Sequence, residues 1–120
     1  MTPTAFEFTM TMPGDARLIG AIRQLAAHAA DYAKLSTDAG EGLAAEVEAA
    51  ATTAIAGTRR HDREIEVRFS GDDSAIVVQI SWDAAAPSPM PPSTANDGTS
   101  VDWTSDGSRH TCRIRRHIPA

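Results

Sequence analysis

The sequence predicts a two-layer α+β sandwich, in which a mostly antiparallel sheet of about five strands carries two main helices on one face. Three observations predict it. Apolar and polar residues alternate at period two near the N-terminus and again through the second half of the chain, the signature of strands with one buried face. Two stretches of helical period lie side by side between those regions. The strands of the second half are joined by turn-forming sequences, which link antiparallel neighbours. At 120 residues the chain is large enough for one core, so residues 1–120 are read as a single domain.

Phe6, Phe8, Met10 and Met12 alternate with Glu7, Thr9 and Thr11 and predict the first strand. Pro13-Gly14 ends it, and Asp15 stands where an N-cap belongs, its carboxylate able to accept the free N–H groups of the next helical turn. Along residues 16–34, Leu18, Ile19, Ile22, Leu25, Ala26 and Ala29 form one apolar stripe. Arg17, Arg23, Gln24 and His28 point elsewhere. A second helix begins in residues 35–38, with Asp38 and Glu41 spaced as a capping box. Its stripe of Leu43, Val47, Ala50, Ala51, Ala54 and Ile55 is narrow and mostly small, which allows close approach to a sheet, and Gly57 is placed to close it.

Ile65, Val67 and Phe69 then alternate with Glu64, Glu66 and Arg68, residues 70–73 form a turn, and Ile76, Val78, Ile80 and Trp82 continue as a hairpin partner. Residues 84–100 contain Pro87, Pro89, Pro91 and Pro92, show no apolar period and predict a loop. A last hairpin, residues 101–104 and 109–118, surrounds Ser105-Asp106-Gly107-Ser108. Cys112, Ile114 and Ile118 take one face of its second strand, and Arg109, Thr111, Arg113, Arg115 and His117 the other.

Composition narrows the function classes. A net charge of −5, with residues 109–116 as the only basic cluster, argues against nucleic acid as a partner. Cys112 is the sole cysteine and cannot form an internal disulfide, and it is expected in the core. His28, His61, His110 and His117 are dispersed without zinc-ligand spacing. The N-terminus lacks the basic and apolar regions of a secretion signal, and no apolar run reaches bilayer length, so a cytoplasmic protein with no membrane partner is expected. Ser/His/Asp order, GxxxxGK[ST] and GxGxxG motifs do not occur.

The first strand ending in Pro13-Gly14-Asp15, the helix that follows, the second helix ending Thr52-Thr53-Ala54-Ile55 before a hairpin, and the final pair with an Asp106-Gly107 turn together resemble a known superfamily over nearly the whole chain. It is the histidine-kinase-like ATPase (GHKL, Bergerat-fold) superfamily, and within it the anti-sigma-factor serine kinases of bacterial partner switching. The resemblance implies a second helix carrying a Glu and, one turn later, an Asn that helps hold Mg²⁺. Spacing of four puts both on one helical face. Here Glu48 and Thr52 stand at those positions, or Ala49 and Thr53 in the neighbouring register, and neither register supplies an Asn. The resemblance also implies an Asp-x-Gly-x-Gly motif after the third strand, whose Asp accepts the adenine amino group. Asp83 occupies that place, with Ala85 and Pro87 for the glycines. Residues 84–100 replace the family's Gly-rich ATP lid.

The residues leave two roles open at each position. Glu48 reads as a catalytic carboxylate or, like Glu46, as a solvent-facing helix charge. Asp83 reads as an adenine anchor or as the polar end of a strand. Arg109, Arg113 and Arg115, with His117, read as a solvated strand face that discourages edge association, or as a surface for an acidic protein partner. Trp82 and Trp103 are expected to fill the core. The expectation is a degenerate regulatory domain that binds a protein, a sigma factor or an anti-sigma antagonist, with no cofactor and no ATP turnover. An active kinase using Asp83 with Thr52 or Thr53, ATP and Mg²⁺ is the enzyme alternative, and an oligomerisation or sensor module, a homodimer among its forms, is the structural one.

Overall fold

The structure, a computed structural model, describes residues 5–58, 64–72, 74–83, 94–96, 98–107 and 109–118. Strand β1 (Phe6–Pro13) leads through a 3₁₀ turn (Ala16–Leu18) into α1 (Ile19–Tyr32) and α2 (Thr37–Thr58). Strands β2 (Glu64–Gly71), β3 (Ala75–Asp83), β4 (Thr94–Asn96), β5 (Thr99–Asp106) and β6 (Arg109–His117) follow. They form one sheet in the order β1-β2-β3-β6-β5-β4, with every pairing antiparallel. The α+β sandwich is therefore as expected, with the two helices packed together over the face that carries Ile65, Val67, Phe69, Val78, Ile80, Cys112 and Ile114.

The sheet has a sixth strand where the sequence predicts only loop. Thr94–Asn96 pairs with Thr99–Val101 in β4–β5, so residues 84–100 are not loop throughout, while Ala85 and Pro87 lie outside the described residues. A three-residue strand has no period to read; pairing alone makes it.

Local chemistry sets the helix ends. Asp15 Oδ1 accepts from the Arg17 N–H at 2.9 Å, the cap the sequence predicts, but the first turn is 3₁₀ rather than α. The C-terminal end of α1 closes earlier than residue 34. Lys34 is left-handed at φ 63°, and Leu35 donates back to the Ala30 carbonyl at 3.0 Å, a Schellman-type closure that turns the chain sharply into α2. The cap of α2 is Ser36, whose Oγ accepts from the Ala39 N–H at 3.2 Å, in place of the Asp38/Glu41 capping box. Gly57 lies inside the last turn of α2, which continues to Thr58.

Close helix–sheet approach follows from side-chain size. Ala50, Ala51 and Ala54 are buried along α2 beside Leu43 and Val47, and they place the helix axis near β3 and β6. Burial of each larger apolar side chain stabilises the fold by about 1.5–3 kcal/mol. At the sheet edge Gly71 is required by contact: a Cβ there would come within 2.5 Å of the Phe6 ring that covers it. In the β2–β3 turn, Asp72 Oδ1 accepts from the Ser74 N–H and Oγ, each at 2.7 Å, and from the Ala75 N–H at 3.1 Å. The Ser74 hydroxyl and these backbone donors hold the Asp72 carboxyl below the usual carboxylate range.

Candidate functional site

The three α2 positions named by the sequence are committed within the helix layer. Thr52 Oγ1 donates to the Glu48 carbonyl at 2.8 Å, and Thr53 Oγ1 donates to the Ala49 carbonyl at 3.2 Å, one turn back in each case. Both hydroxyls therefore lie against the helix backbone. The Glu48 carboxylate forms an ion pair with Arg23 of α1, tying the two helices together on their outer side. Asp83, at the end of β3, pairs instead with Arg109 directly opposite on β6, Oδ2 to Nη1 at 3.4 Å. Among the described residues no hydrogen bond or ion pair joins Asp83 to Glu48, Thr52 or Thr53.

The register explains why the arginines of β6 differ. Arg109 has Asp83 opposite it on β3 and Asp106 opposite it on β5, so carboxylates flank it on both sides. Arg113 lies between Gln79 on β3 and Asp102 on β5, and Arg115 between Val77 and Ser100. Across Gln79 from Arg113 stands Arg68 of β2. Arg68, Arg113 and Arg115 are all exposed, and none has a hydrogen-bond or ion-pair partner among the described residues. Arg115 acts on Asp72 through its charge, as the last of the influences that lower that carboxyl.

These residues share the sheet face that the helices leave open. Two shallow depressions lie on it and meet at Arg113. One, about 560 Å³, is lined by Ser70, Ala75, Val77, Arg113 and Arg115 among others. The second, about 540 Å³, includes Gln79, Asp102, Thr104, Thr111 and Arg113. At the far side of the second depression Ser81, only 4% exposed, shares a hydrogen bond with Thr111, Oγ to Oγ1, at 3.2 Å. Sequence reading named Arg109, Arg113 and Arg115 but missed Arg68, whose membership depends on strand order rather than on any motif.

Two further features were not foreseen. His110 is turned to the helix side, opposite Trp82, and is 3% exposed. Its Nδ1 lies 2.8 Å from Ser105 Oγ, while Nε2 has no hydrogen-bond partner among the described residues, a desolvation cost of about 1–3 kcal/mol. Trp82 and Trp103 meet edge-to-face beside it with centroids 6.2 Å apart, Trp82 within the core and Trp103 half-buried against it. On the far edge, Phe6, Phe8, Leu25, His28, Ala29 and Tyr32 line a notch of about 270 Å³ between β1 and α1. His28 belongs to this apolar notch and His117 to the open face; His61 lies outside the described residues.

Among the described residues no three His, Cys, Asp or Glu side chains gather to hold a metal, and no helix is long and apolar enough to cross a membrane. No protein-family model matches the chain. No curated protein matches it closely enough to establish a relationship.

Proposed function

We propose that the protein is a regulatory domain of the anti-sigma serine-kinase type that has lost its nucleotide chemistry and acts in the cytoplasm by binding a protein partner, a sigma factor or an anti-sigma antagonist. The observation that carries this reading is the engagement of Thr52 and Thr53. Both hydroxyls donate to carbonyls of their own helix at the positions where the resembled kinases need a magnesium-holding Asn. A Mg²⁺ site demands near-octahedral oxygen geometry, and a threonine oxygen held against the helix backbone lacks the reach of an Asn carbonyl. The remaining charged groups support the same reading, since Glu48 is held by Arg23 and Asp83 by Arg109.

Isothermal titration of the protein with Mg-ATP tests the reading. No measurable heat of specific binding is expected, and a micromolar dissociation constant would overturn it in favour of the kinase that uses Asp83, ATP and Mg²⁺. In that case Asp83→Asn would abolish the binding.

One observation favours the oligomerisation reading as a second. The β1 edge is eight residues long, has Glu7 as its only charge, and carries Phe8 at 39% exposure, with Tyr32 at the end of α1, 60% exposed, across the apolar notch. Long apolar edges without lysine or a central proline are open to pairing. Self-association through this edge would appear in size-exclusion chromatography as a dimer that Phe8→Glu returns to a monomer; a strict monomer at every concentration would count against it.

A further inference from the structure

The open sheet face is divided by charge. At the end where β3 begins, the strands present Arg68, Arg113, Arg115 and His117, and at the other end Glu64, Glu66, Asp83 and Asp106 with the neutralised Arg109. Glu7, Asp72 and Asp102 are the acidic residues near the basic rows; Asp72 feels the charge of Arg115, and among the described residues none of the three forms an ion pair with these arginines. Among the described residues these three guanidiniums have no hydrogen-bond or ion-pair partner, and they stand around a floor of Gln79, Val77, Ser70 and Thr111.

Spacing selects the ligand. Arg113 and Arg115 are two residues apart on one strand, so their backbones are about 7 Å apart, the repeat of alternate side chains along any extended chain. Arg68 lies two strands from Arg113, about 10 Å across the sheet. We propose that this face docks an extended acidic segment of a protein partner, with carboxylates at alternate positions facing Arg113 and Arg115 and a further acidic group reaching Arg68. The inference rests on the reading that the chain acts by binding a protein, and it names the surface and the chemistry of that partner.

Charge complementarity favours an acidic peptide over the other polyanion, a nucleic acid. The row of Glu64, Glu66, Asp83 and Asp106 repels a long phosphate backbone continuing along the strands, so only a short anionic stretch is accommodated. Among the described residues the rings near this face are His117 at its end and the half-buried Phe6 and Trp103 at the margins of the two depressions, on separate strands and without the successive spacing on which a run of bases stacks. Guanidinium and carboxylate also match as planar, two-pronged groups, so each pairing is directional as well as attractive.

The test is fluorescence anisotropy with a labelled peptide that alternates glutamate with threonine. The wild-type protein is expected to bind it, more weakly as salt rises. Arg113→Gln together with Arg115→Gln should weaken binding about tenfold, Arg68→Gln less, and Arg17→Gln on the opposite layer not at all. All these positions are exposed, so folding, checked by circular dichroism, should be retained. Unchanged affinity in the double variant, or equal binding of a peptide with glutamine for every glutamate, overturns the proposal. Equal binding of oligothymidylate through the same arginines would replace the acidic protein with a nucleic acid, and a wild-type dimer dissolved by the same substitutions would replace it with a second copy of this chain; either result overturns it. The Mg-ATP titration is separate: nucleotide binding would refute the loss of nucleotide chemistry without altering the peptide result.

Discussion

Replacing Phe69 with alanine is expected to destabilise the protein by about 3–5 kcal/mol. Phe69 is the largest side chain that is fully enclosed, at 0% exposure in the middle of β2. Its ring stacks on Phe8 of β1 with centroids 5.0 Å apart, and its backbone is paired with Phe8 on one side and Val78 on the other. Truncation removes the transfer energy of a phenyl ring and leaves a hole under both helices, into which a close-packed layer relaxes only partly. Because the neighbour on the edge strand is itself part-exposed, Phe8 can tilt inward and recover some contact, which places the expected value nearer the lower end of the range. For a domain of this size the loss should appear as a fall in melting temperature of about 10–20 °C. Phe69→Leu, which keeps most of the volume, should cost less than half as much. A melting temperature within about 3 °C of wild type for Phe69→Ala would mean that the sheet and helices are not packed through this residue. The same loss should leave the peptide affinity of the surviving folded fraction unchanged, since the arginine face lies on the other side of the sheet.

The layered fold was legible because its information is local. Alternation in β1, β2, β3 and β6 assigns each side chain to a face without any knowledge of neighbours, and the alanines of α2 announce close packing. What was not legible depends on pairing. The strand Thr94–Asn96 exists only because β5 lies beside it. The different standing of Arg109 and Arg113 follows from what register places opposite each, two carboxylates for one and Gln79 with Asp102 for the other. Arg68 joins the same surface only once β2, β3 and β6 are known to be consecutive in the sheet. Ser36 won the α2 cap from Asp38 because the chain leaves the left-handed Lys34 already turned, a backbone event that composition does not announce. The candidate nucleotide residues were legible as positions but not as states: sequence places Thr52, Thr53, Glu48 and Asp83, and only geometry gives each its partner.

Alkaline unfolding should depend on a single thiol. Cys112 is completely enclosed between Ile80 and Trp103 on the neighbouring strands, and burial, followed by the charges of Glu46 and Asp102, pushes its pKa up to about 12. In the unfolded chain the same thiol ionises near pH 8.5. A group whose folded pKa lies above its unfolded one contributes its full stability below the unfolded value and loses it as pH rises toward the folded value. The loss should therefore begin near pH 8.5 and proceed at about 1.4 kcal/mol per pH unit, reaching about 4 kcal/mol by pH 12. The informative quantity is the difference between wild type and Cys112→Ala, in which every contribution other than that of the thiol cancels. The alanine variant loses a fixed amount of packing at every pH, but it has no thiolate to release on unfolding. Urea denaturation at intervals from pH 7 to pH 10.5 should accordingly show wild type more stable at neutral pH and the two curves converging, then crossing, as pH rises. Curves that stay parallel across that range would mean that the thiol ionises as readily in the folded protein as in the unfolded chain, and that the helix layer does not seal the sheet over Cys112.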